Sequence, residues 1–129
     1  MDYFTALDAV IRRGITAARE SYKDAPHKLE GSVAGFRACQ NKIPEELDRI
    51  LTQAHQKTVD ARHKSNDGII TSSEYWKTRC YEAEVEWVCN CVSVMLLNQG
   101  VKSPFPKHIG PTARAAILVS KIVGVNSSN

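Results

Sequence analysis

The sequence predicts an all-α fold: a single-domain bundle of about five helices around one long central helix, at about 72–99. Three observations predict it. Apolar residues recur at three- and four-residue steps along most of the chain, the spacing of one helix face. Proline, capping and glycine signals divide that pattern into five stretches. One stretch turns apolar on every side in its second half, and such a helix must be wrapped by protein.

The first helix is capped by Asp2, and its stripe is Phe4, Leu7, Ile11, Ile15, Ala18 and Tyr22. Asp24-Ala-Pro26 ends it, because proline disfavours helical geometry for the residue before it. The second stretch, Leu29 to Gln40, is weaker, since Gly31 and Gly35 lie inside it. Those glycines are four apart, so they share a face and would admit a close helix neighbour. Pro44 followed by Glu45 and Glu46 opens the third helix, which Asn66-Asp-Gly68 stops.

Thr71 and Glu74 have capping-box spacing, and Gly100 sits where a terminal glycine belongs. The rod between them is about 40 Å long at 1.5 Å per residue. Its first half keeps Glu82 and Glu86 on a solvated face, and its second half, from Val88 on, is the centre of the fold. Ser103-Pro-Phe-Pro106 is a non-helical connection. Pro111 and Thr112 start the last helix, with Gly124 as its stop. The domain therefore spans 1–125, and 126–129 reads as a flexible tail.

The chain has 129 residues, enough to bury a core without disulfides or metal. Net charge is +3, with the signs interspersed except after Gly100, where Lys102, Lys107, Arg114 and Lys121 meet no acid. The opening residues show no basic n-region and no apolar h-region, so a cytoplasmic protein with reduced thiols is expected. The longest oily run, Val88 to Leu97, is about half of what a membrane span needs.

Cys89-Asn-Cys91 invites a metal or redox reading. On a helix, residues two apart point about 200° from one another, so the two sulfurs cannot share an ion. Neither a zinc pairing nor a Cys-x-x-Cys redox pair is present. Buried small apolar side chains are the expected role. No serine elbow, phosphate loop or glycine fingerprint occurs, and no catalytic set, metal or cofactor is expected.

Three functions fit what remains. The first is a small non-enzymatic interaction protein, an adaptor or inhibitor that binds another protein. Tyr75, Trp76, Arg79 and Tyr81 cluster on the exposed half of the long helix, and these residue types dominate binding hot spots. A homo-oligomer would use the same stripe. Such a chain would suit an accessory protein of a bacterium or phage. The second is a module for a nucleotide or other anionic ligand at Lys107, His108, Thr112 and Arg114, around a helix start whose free N–H groups favour anions. The third rests on Arg49 to His55, whose Arg-x5-His form resembles the helical HEPN ribonucleases. The resemblance covers seven residues, and Ile50 stands where that family usually has a polar one. It implies a ribonuclease whose dimer brings two Arg–His pairs together. DNA is not an expected partner, because Glu74, Glu82, Glu84 and Glu86 would meet the phosphates of a duplex.

Overall fold

The computed structural model describes residues 1–127 and is built of five helices: α1 (Tyr3–Ser21), α2 (Pro26–Ala38), α3 (Pro44–Asn66), α4 (Ser72–Asn98) and α5 (Ala113–Ser127). Among the described residues there is no strand, and Ile69-Ile70-Thr71 forms part of the α3–α4 turn. Each boundary follows from local chemistry. The Asp2 carboxylate accepts from the Thr5 N–H at 2.8 Å and caps α1. Pro44 occupies the first turn of α3, and the Glu46 carboxylate reaches back to accept from the Ile43 N–H. Both bonds of the Thr71–Glu74 capping box are made, at 3.2 and 3.1 Å. Gly68 and Gly100 take positive φ, +72° and +67°, at the ends of α3 and α4.

Two boundaries differ from the sequence reading. Helix α2 starts at Pro26, three residues before Leu29. The proline that ends one helix also opens the next, since its missing N–H is harmless at a first-turn position. Helix α5 runs through Gly124 to Ser127, because a glycine at ordinary helical φ does not by itself stop a helix. The expected tail at 126–129 thus includes residues 128 and 129, which lie outside the described residues.

Helix α4 is the axis, with α1, α2, α3 and α5 all laid against it. Every side chain from Cys91 to Leu96 is buried. Val10, Ile11 and Leu7 of α1, Phe36 of α2, Leu47 and Leu51 of α3, and Val119 and Ile122 of α5 complete the core. Phe105 and Ile109 plug it from the α4–α5 connection. The closest approach is between α2 and α4. Gly31 lies against the Lys77 backbone carbonyl, and a methyl group on Gly35 would come within 2.7 Å of the Tyr81 carbonyl. These two glycines are why α2, the helix with the poorest propensity, packs so tightly on the central rod. No described helix is long and apolar enough to cross a membrane.

Candidate functional site

The N-terminal half of α4 carries the residues that the sequence marks as an interface, and the structure distributes them. Trp76 is 42% exposed. The Lys28 ammonium lies 4.7 Å from its ring centroid, and Tyr75 meets it edge-on at 5.5 Å. Two grooves open along this half of α4, and Trp76 lines the smaller. One, about 180 Å³, lies between Trp76 and the start of α2 at Pro26 and His27. The other, about 350 Å³, has Gly31 and Ala34 on one wall, Lys57 of α3 on another, and Lys77, Thr78 and Tyr81 as its floor. It exists because α2 and α3 flank α4 without closing over it. Tyr81 is half-buried against the core, and burial pushes its phenol up from the ordinary value.

Arg79 turns towards Glu82, with Nη1 3.6 Å from the carboxylate. Glu82 is 7% exposed, so the solvated face expected for it is not what the fold makes. Its carboxylate accepts from His55 Nδ1 of α3 at 2.7 Å, which joins α3 to α4. The α4 pattern holds Arg79 at i,i+3 but no signal for the His55 contact, because that partner stands on another helix. Arg49, the other half of the Arg-x5-His pair, is exposed and makes no ion pair among the described residues.

The 107–114 segment is also divided. Lys107 and His108 are exposed on a turn closed by the Ile109 N–H donating to the Pro106 carbonyl at 2.9 Å. Thr112 is spent on its own helix, where its hydroxyl accepts from the Ala115 N–H at 3.1 Å. Arg114 turns away from these three, with its guanidinium 5.9 Å from the Trp87 ring. There it lines a groove of about 560 Å³ that runs between α1, α4 and α5 and reaches Phe36 of α2. Arg13, Tyr22, Glu84 and Trp87 share that groove, and reasoning from the sequence did not join them. A faint signal existed. Gly14, Ala17, Ala18 and Ser21 recur at helical spacing on α1, and a face this small leaves space between its neighbours.

All four cysteines are free and buried. Cys89 Sγ makes a weak contact to the Leu47 carbonyl at 3.9 Å. Burial pushes the Cys39 and Cys91 thiols up to about 12, and that of Cys89 higher still, helped by neighbouring acids and thiols. Almost no thiolate exists at neutral pH, and thiolate is the reactive form. In Ellman titration at pH 8 the native protein should therefore react slowly at all four positions, and at once after denaturation. Rapid labelling of any one in the native state would contradict this burial. Among the described residues, no group of three or more His, Cys, Asp or Glu side chains is arranged to hold a metal ion.

A scan against protein-family models, a search of curated proteins and a search of solved structures each found no match for this chain.

Proposed function

We propose that the chain is a small helical interaction protein, an adaptor or inhibitor, that binds another protein through the N-terminal half of α4. One observation carries the reading: a large indole stands 42% exposed on a rigid helix, in the wall of a groove and beneath a lysine. Indole is a leading hot-spot group, and the groove beside it would receive a partner's apolar side chain. Four buried thiols suit a reducing compartment, which we take to be the cytoplasm.

Trp76→Ala separates binding from folding. Trp76 is no part of the packed core, so its loss should cost about 1 kcal/mol or less, mostly the contact with Lys28. Affinity for an identified partner, measured by calorimetry, should fall at least tenfold, the usual effect of removing a hot spot. Unchanged affinity in the folded variant defeats the proposal. Light scattering of the wild type and of Trp76→Ala shows whether the partner is a second copy of the chain, since the variant would then be monomeric.

A further inference from the structure

We propose that the groove between α1, α4 and α5 is a binding site for a nucleoside 5′-monophosphate, its phosphate held by Arg13 and Arg114 and its base laid against Trp87. The site is separate from the Trp76 face and does not depend on that reading. Its volume, about 560 Å³, lies within the range of small-ligand sites.

Three features match three parts of such a ligand. The first is charge. Arg13 and Arg114 project from different helices into one groove. Among the described residues neither guanidinium has a carboxylate within ion-pairing distance, although Arg12 beside them is paired to Asp8 at 2.8 Å. Arg114 sits at the outer limit of a cation–π contact, which orients the guanidinium and leaves its N–H donors free for a phosphate. The second is aromatic surface. Trp87 and Tyr22 are half-buried and pack on the core, and Phe36 of that core lines the same groove, so these rings are held in place. A base stacks on such a surface regardless of its identity. The third is a hydrogen-bonding group. The Glu84 carboxyl is half-buried in the same groove and, among the described residues, has no basic partner within ion-pairing distance. Burial pushes it up from the ordinary carboxylate value, partly offset by the Ser32 hydroxyl. Its carboxylate oxygens can accept from a ring N–H or an exocyclic amine.

The test uses the 129-residue chain carrying Trp76→Phe, which leaves Trp87 as its single indole. AMP, GMP, CMP and UMP are titrated, with adenosine and inorganic phosphate as separate arms, and indole emission is followed. At least one nucleotide should quench it saturably below about 1 mM. Adenosine and phosphate alone should bind at least tenfold more weakly. Arg13→Ala and Arg114→Ala should each weaken binding about tenfold with the helical circular dichroism unchanged. Should Arg114→Ala fail to fold, Arg114→Lys keeps the charge, loses the planar fork and should still weaken binding several-fold. No saturable quench by any nucleotide, equal binding of phosphate alone, or indifference to both arginines would each overturn the site.

Discussion

Gly31→Ala is expected to destabilise the fold by about 2 kcal/mol, although alanine is the better helix former. The two effects can be weighed. Alanine in a helix interior gains about 1 kcal/mol over glycine. Against this, the added methyl would fall on the backbone carbonyl of Lys77, with the Lys77 Cα 3.0 Å away. A flexible side chain could step aside, but a carbonyl inside α4 is fixed by its own hydrogen bond. The whole of α2 must therefore back away from the central rod. That loosens the Gly35 contact with Tyr81 and the seat of Phe36 in the core. Overpacking of this kind costs about 1–3 kcal/mol and sometimes more, and here the obstacle is backbone. Gly31→Val should be worse, because it adds bulk and a stiff χ1. Gly110→Ala is the control, since a methyl there meets nothing within 4 Å, and it should change stability by less than about 0.5 kcal/mol. Urea unfolding of the variants checks this, and a Gly31→Ala protein as stable as wild type would refute the close approach.

The contrast between Gly31 and Glu82 shows what the sequence could convey. Information carried along one helix was legible. The Thr71–Glu74 box, Pro44 and the glycines after α3 and α4 act within four residues of themselves, so their meaning does not depend on the rest of the fold. The burial of 91–96 was legible for a related reason: a helix without a polar face leaves no choice of side. Pro26 was locally ambiguous, because the same ring ends one helix and begins another. What stayed hidden was set by pairs of helices. Glu82 looks solvated until His55 of α3 is brought to it. Arg114 looks like part of a helix-start cluster until α5 docks and turns it to Trp87. The groove beneath it needs the small face of α1, two arginines and an indole to meet, and no spacing within a single element encodes that meeting.

Alkali is the second strong perturbation, and it should unfold the protein between about pH 10 and 11 under reducing conditions. The cause is the burial of thiols around Cys39, Cys89 and Cys91. An unfolded cysteine ionises near pH 8.5. In the native protein Cys39 and Cys91 hold their protons to about 12, and Cys89 further still. The native state thus binds more protons than the unfolded state above pH 9, and stability must fall as pH rises. This contribution is intact below about pH 9 and is lost progressively towards 12. Each such thiol removes up to about 1.4 kcal/mol per pH unit, so three together remove up to about 4. A domain of this size has about 5–15 kcal/mol to lose. Tyr3, whose phenol donates to the Lys42 carbonyl at 2.8 Å and is raised by burial, acts in the same direction once unfolded tyrosines begin to ionise. Urea unfolding from pH 8 to 11, followed by circular dichroism, reads the slope directly. Cys91→Ala should lower stability at pH 8 through the cavity it leaves, yet reduce the slope above pH 9 by about a third. A wild-type stability that is flat from pH 9 to 11 would show that the thiols are already open to solvent, and the packing of α4 would then be wrong.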